Sequence, residues 1–453
     1  MGRDRYANMF FTLAFSIFCL ACTVLAFRRH PIYGFYFYMA TTFVYPQGRY
    51  WGHFLVDFRP ALLSAGVTIL AIAFHSGKLK PRPFWLLNSP AVILSVYCAC
   101  LWLQTPWALS MTDHLEGSTL FAKSLVAFWM VYRVTDSRDR LRDLLVAYVL
   151  GCAILGIMAQ STGRVGGRLD GVGGPGMDDA NTLGMYLATG VVLAVGLTIA
   201  QRGWLRYLAV VSLVVIANGI VLANSRGSVI GLLAGGLVLG LVQARQHRRS
   251  FWALIAAAVV GQALIVDQTF INRMFTIKDA TAQKDDEDAD ASIRSRSALA
   301  ETQLKMFRDH PMGVGHRGTA VLSPEYLDDK WLTGSEDGTR ARSSHSSFLT
   351  ALVEQGVIGA LLYLGLVLWL LLAAYRIRRL RDTVADPNVS TLGASVCASL
   401  VVILVSGLTA DYLLAENQFW FLGALVSMLG LVAQPERTGR VTDAGGQHIG
   451  VSA

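Results

Sequence analysis

The chain has 453 residues and a net charge of +8; it is 53% hydrophobic, and only 15% of its side chains are charged. Its mean hydropathy is +0.46. A water-soluble domain carries about 25% charged residues, so these figures exclude one.

Apolar stretches of roughly 16–22 residues recur along the chain, each close to the length of a bilayer-crossing helix. Strands of a membrane β-barrel would alternate and run only about 10 residues. The expected class is therefore an all-α polytopic membrane protein with about 12–13 transmembrane helices.

Arg3 and Arg5 precede the first apolar run as in a signal peptide, but no small-residue cleavage site follows, which predicts a retained anchor. Candidate spans are 8–27, 30–46, 60–75, 85–103, 117–134, 142–160, 179–200, 204–223, 227–243, 251–266, 346–375, 388–411 and 413–433. The segment 30–46 is short and bounded by Pro31 and Pro46, so either of the first two segments is expected to tilt or re-enter. The six cysteines all fall in apolar stretches and read as packing residues, including the Cys19/Cys22 CxxC.

The connecting segments alternate in charge. Loops 28–30, 76–83, 133–142, 201–206, 243–250 and 376–386 hold 18 Lys and Arg, whereas 46–59, 104–116, 161–178, 224–226 and 411–418 hold 5. The first set is cytoplasmic by the positive-inside rule. This divides the chain into an N-terminal transmembrane bundle (1–266), a large outer loop (267–345), C-terminal transmembrane helices (346–433) and a cytoplasmic tail (434–453). Thirteen spans would leave the N-terminus and its arginines outside, against that rule.

Within the outer loop, "DATAQKDDEDADAS" (279–292) is acidic and lacks aromatics, a composition expected to be mobile. "SALAETQLKMF" (297–307) sets Ala300, Leu304 and Phe307 at helical spacing and predicts an amphipathic helix lying on the membrane or the bundle. "GVGHRG" (313–318) and "GVGGPG" (171–176) match GxGxxG, but neither follows a buried strand or opens a βαβ unit, so both read as turns.

The chemically suggestive residues gather on the outer face. Arg226 tips a hairpin between two spans in "LANSRGSVIG". It serves either as a snorkelling cation or as a forked hydrogen-bond donor to phosphate. Arg294 and Arg296 precede the amphipathic segment, where they balance the acidic run or reach the same anion. Arg164 and Arg168 are rim cations. Asp178, Asp179 and Asn181 precede span 179–200 as N-cap residues, or orient a sugar or an arginine. His345, in "SSHSSFLTALVEQGVIG", stands at a helix N-terminus that Ser343, Ser344 or Ser346 can cap. The helix dipole disfavours its protonated form there, leaving the neutral imidazole that a general base needs. Lys123, Asp411 and Glu416 complete the outer ionisable groups. His53, His114, His310 and His316 have no metal-ligand spacing, and neither a metal nor a cofactor is expected.

A basic pocket at the outer surface suits a diphosphate-bearing lipid. Arginines would hold the diphosphate and ease departure of the leaving group, while a histidine would deprotonate an incoming hydroxyl.

In "GGPGMDDANTLGMYLATG", "VLANSRGSVIG", "SIRSRSALAETQLKMFRDHPMGVGHRGT" and "HSSFLTALVEQGVIGALLY" the sequence resembles the O-antigen ligase and polymerase superfamily of bacterial inner membranes. The resemblance covers most of 165–370 in motif order. "LAFRRHPIYGFYFYMATTFVYP" is more loosely similar to O-glycosylation ligases of exosortase systems.

The resemblance implies a GT-C-like fold of about a dozen helices with a large periplasmic loop. It implies a metal-independent glycosyltransferase of lipopolysaccharide or other polysaccharide biosynthesis, taking its glycan from undecaprenyl diphosphate. It implies Arg226 and Arg296, rather than Arg294, on the diphosphate and His345 activating the acceptor. That acceptor is lipid A core, a protein or a second lipid-linked glycan, the last being the polymerase case. Three departures stand out: Ser346 where the family often has asparagine, an acidic insertion at 285–290, and one span too many. A lipid-linked sugar transporter is the rival class, although the spans lack the mid-helix charges and repeats such proteins show. A non-catalytic scaffold is a third.

Overall fold

The computed structural model describes residues 2–52, 58–164, 169, 171–174, 176–177, 179–265, 270–271, 274, 287–334, 340–381 and 386–433. Its helices are α1 (Gly2–Arg28), α2 (Ile32–Val44), α3 (Pro60–Phe74), α4 (Ser89–Gln104), α5 (Met111–Val134), α6 (Arg138–Thr162), α7 (Ala180–Ala200), α8 (Trp204–Ala223), α9 (Arg226–Val242), α10 (Arg248–Ile265), α11 (Glu287–Asp309), α12 (Gly318–Tyr326), α13 (Ser347–Val353), α14 (Gly356–Leu380), α15 (Pro387–Ser406) and α16 (Glu416–Ala433). A two-residue antiparallel pair, β1 (Thr333–Gly334) with β2 (Arg340–Ala341), closes a loop between α12 and α13. Seven of the described helices are long and apolar enough to cross a membrane, and α3 and α9 are shorter apolar helices. The chain is an all-α polytopic membrane protein.

The centre of the bundle is α7 and α15, whose spanning windows are 89% and 83% buried. Small residues let these helices approach closely, the usual solution where lipid gives no hydrophobic drive. A side chain at Gly235 of α9 would come 2.8 Å from the Ala398 carbonyl of α15, and one at Gly231 the same distance from that of Val402. At the periphery, α1 and α14 expose Leu13, Leu20, Leu361 and Leu368, a surface that suits acyl chains. The six cysteines are free thiols, and Cys152 and Cys397 are buried.

The basic and the charge-poor loops separate to opposite ends. At one end His30 lies 3.5 Å from Asp136, Arg82 donates to the Tyr132 and Thr135 carbonyls, and Arg381 caps α9 through the Leu241 carbonyl. At the other, Arg49 bonds the Val172 carbonyl, Arg164 caps α8 through the Val221 and Leu222 carbonyls, and Leu109 N–H donates to Val314 O at 3.0 Å.

Three expectations change. The first two segments are the separate helices Gly2–Arg28 and Ile32–Val44, and the second, set at 30–46 from sequence, has only 13 residues, too short to cross about 30 Å at 1.5 Å per residue. The span expected at 346–375 is broken: α13 ends at Val353 and α14 starts at Gly356, whose φ of +70° is a left-handed value suited to glycine. The break receives the Pro311–Gly315 turn, with Val314 N–H and Gly315 N–H donating to Glu354 O at 3.1 and 2.8 Å.

The third change concerns the amphipathic helix. It extends to 287–309, and its buried face is Ser295, Leu299, Thr302, Gln303 and Met306, while Leu304 is exposed. Three of these five residues are polar because the face packs against α13 and the serine-rich segment before it. Of the acidic run expected to be mobile, 279–286 lies outside the described residues, and from Glu287 the backbone is helical.

Candidate active site

Four chain segments meet at the end of the bundle that carries the long loop. The first is the α8–α9 hairpin. Asn224 ends α8 in the left-handed conformation (φ 53°), which lets the chain reverse within two residues. Ser225 then caps α9 by accepting from Ser228 N–H. Arg226 is thereby the first residue of α9, half-buried at the helix end.

The second segment is the head of α7. Asp179 caps it, accepting from the N–H groups of Asn181 and Thr182 at 2.8 and 3.2 Å. The hairpin is tied to it: Ser225 Oγ donates to Asn181 Oδ1, and Ser228 Oγ to the Asn181 carbonyl, both at 3.1 Å.

The third is the α15–α16 connection. Ser406 Oγ donates to Gly227 O at 3.2 Å, so this connection sits directly on the Arg226 hairpin. It also receives α13, with Ser347 N–H donating to Gly407 O at 2.8 Å and Tyr412 N–H to Ser347 Oγ at 2.7 Å.

The fourth is α11 with the segment 340–346. Gln303, buried on α11, donates through Nε2 to Ser344 Oγ at 2.9 Å, fixing α11 beside His345. Arg296 lies seven residues earlier, on the same helix face, and is exposed.

His345 is half-buried at this junction. Burial lowers its pKa to about 4, the nearby cations Arg342 and Arg296 add to that, and Asp179 opposes it. The imidazole is thus neutral at physiological pH, as the sequence suggests, but for another reason than the helix dipole. The following helix has only seven residues, and Ser346 at its cap makes no side-chain bond.

Asp411 is exposed to solvent, yet desolvation raises its carboxyl, with the Ser347 and Thr350 hydroxyls beside it.

The remaining expected residues divide. Glu416 accepts from the Tyr38 hydroxyl and from Trp420 Nε1 and is committed to packing α16. Lys123 is exposed midway along α5, away from these contacts. Of Arg294 only the helical backbone is described, and Arg168 lies outside the described residues. Arg164 serves the end of α8.

Four residues at the junction were not singled out from sequence: Gln303, Arg342, Glu354 and Tyr412. The spacing of seven from Arg296 and the position three before His345 could have flagged the first two. Glu354 is seven residues after Ser347 in the serine-rich stretch itself. It is 5% exposed and accepts from Arg317 N–H at 2.9 Å. Burial, then Asp411, push its carboxyl up to about 8. Tyr412 arrives only through long-range packing, and no local signal announces it.

The arrangement offers a pair of arginines at one end of the bundle, an uncharged imidazole beside one of them, and carboxyl groups close by. It can neutralise an anion and take a proton from a hydroxyl. No curated protein matches the chain. Residues 211–364, the stretch holding Arg226, Arg296 and His345, match the family model described as O-Antigen ligase. Over that stretch this multi-pass membrane protein is similar to the O-antigen ligase family.

Proposed function

We propose that the protein transfers a glycan from undecaprenyl diphosphate to an acceptor hydroxyl, in the manner of an O-antigen ligase, at the periplasmic face of the bacterial inner membrane. The observation that carries this reading is the neutral His345 seated beside Arg296 on the helix that Gln303 anchors. Such a pairing suits a base working next to an anionic leaving group. The charge bias of the loops, 18 basic residues against 5, supports the assignment of the face.

In this reading Arg226 and Arg296, with Arg294 as an auxiliary cation, hold the diphosphate. The acceptor O–H passes its proton to His345 as its oxygen bonds the anomeric carbon. The carbon–oxygen bond to the diphosphate breaks, and the electron pair leaves on a phosphate oxygen that the guanidinium groups stabilise. Asp179, Asn181 and Asp411 orient the sugars around that centre. No metal ion or cofactor enters any step.

The test is a transfer assay with purified protein, lipid-linked glycan and candidate acceptors in EDTA. Glycosylated acceptor together with released undecaprenyl diphosphate is the expected result. Failure of transfer with every acceptor class, while lipid-linked glycan crosses vesicle membranes, would overturn the reading in favour of transport. Acceptance of a second lipid-linked glycan in place of lipid A core or protein would identify a polymerase.

A further inference from the structure

Tyr412 lies in the α15–α16 connection. Its ring is packed into the main hydrophobic core and the residue is only 4% exposed. The backbone is pinned on both sides, with N–H donating to Ser347 Oγ at 2.7 Å and the carbonyl accepting from Gln418 Nε2 at 3.1 Å. A phenol held this firmly ordinarily spends its hydroxyl on a protein partner. Here the hydroxyl makes no hydrogen bond to any described residue, and it is not sealed from solvent.

The charged groups around it are Asp179, Asp411 and Arg296, and all three are exposed. The hydroxyl, not sealed from solvent, therefore lies within electrostatic reach of two carboxyl groups and of the arginine. That company decides the ligand. Two carboxylates would repel a phosphate placed between them, whereas sugar hydroxyls donate to carboxylates and exchange hydrogen bonds with a phenol. Asp411 accepts from Leu413 N–H through Oδ1. Asp179 has bonds from Asn181 N–H, Thr182 N–H and the Thr182 hydroxyl. A carboxylate has about four acceptor positions, so each retains acceptor capacity.

We infer that the Tyr412 hydroxyl, flanked by Asp411 and Asp179, binds the sugar directly joined to the diphosphate. Tyr412 is then a donor-sugar contact and Arg296 a phosphate contact, side by side. This rests on the lipid-diphosphate reading above.

The test separates the two. Binding to purified protein is measured with undecaprenyl diphosphate and with undecaprenyl diphosphate carrying one N-acetylhexosamine. Tyr412→Phe keeps the ring that fills the core and removes only the hydroxyl. It is expected to weaken the sugar-bearing lipid about five- to tenfold, the worth of one hydrogen bond, and to leave the bare diphosphate lipid unchanged. Arg296→Gln is expected to weaken both. Equal losses on the two probes, or no loss on the sugar-bearing one, in a Tyr412→Phe protein would overturn the sugar contact alone. Wild-type protein binding neither probe better than phosphatidylglycerol would overturn the lipid-diphosphate reading, and this contact with it.

Discussion

A general base works only in its neutral form, so transfer must slow as pH falls through the pKa of His345. An unperturbed imidazole titrates near 6.5 and would cost half the rate there. His345 is held at about 4, which leaves less than about 1% of it protonated at pH 6.5. The expected profile of kcat/KM, which reports the free enzyme, is flat on its acid side from pH 8 down to about 5.5. Burial is the leading cause, Arg342 the next. Arg342→Gln should therefore move the acid limb upward by about half a unit to one unit, leaving it below 6.5 and the rate at pH 7.5 nearly unchanged. Asp179→Asn should move it downward. The assay is transfer of labelled lipid-linked glycan by purified protein across pH 4.5–8. A wild-type limb between 6 and 7, or a downward shift in Arg342→Gln, would refute the reasoning.

Two further outcomes follow from the elbow between α13 and α14. Gly356 has φ +70°, and an added Cβ would sit 2.6 Å from Gly313 N and from Pro311 O. Left-handed strain of about 1–2 kcal/mol adds to about 1–3 kcal/mol of overpacking against backbone, so Gly356→Ala should lower thermal stability in detergent clearly, where Gly236→Ala, in open space, should not. Glu354 is protonated in the folded state up to about pH 8 but ionises above about 4.5 when unfolded. The folded state then binds the extra proton, and stability falls as pH rises from 5 to 8. Glu354→Gln should flatten that dependence while still accepting from Arg317 N–H, whereas Glu354→Leu should cost about 1–3 kcal/mol through an unpaired buried donor; denaturation followed by intrinsic fluorescence checks both.

The all-helical architecture was legible because membrane crossing is written in local composition: α4 to α10 follow the apolar stretches within a few residues. The break at Gly356 was not: Glu354 and Gln355 interrupt the apolar run there, but two polar residues alone do not end a span, and the cause is the docking of the Pro311–Gly315 turn from far along the chain. For α11 the error was one of phase. Leu304 fits an apolar stripe, but the helix buries Thr302 and Gln303 because its neighbours are the serines of 343–347 rather than lipid.

At the site, Asp179, Asn181, Arg226 and Ser225 could be read from helix-end chemistry, and the structure joins them through Ser225 and Ser228. His345 was visible as a histidine entering a helix, but its low pKa comes from burial and then Arg342, which only the folded chain provides. Tyr412 was invisible for the same reason.

The central claim, that His345 does chemistry on a donor that the arginines hold, is tested most directly by measuring donor binding and transfer in one preparation of His345→Ala. The account predicts donor affinity within about threefold of wild type and transfer reduced by at least about a hundredfold. Transfer at the wild-type rate, or loss of donor binding equal to the loss of transfer, would contradict it.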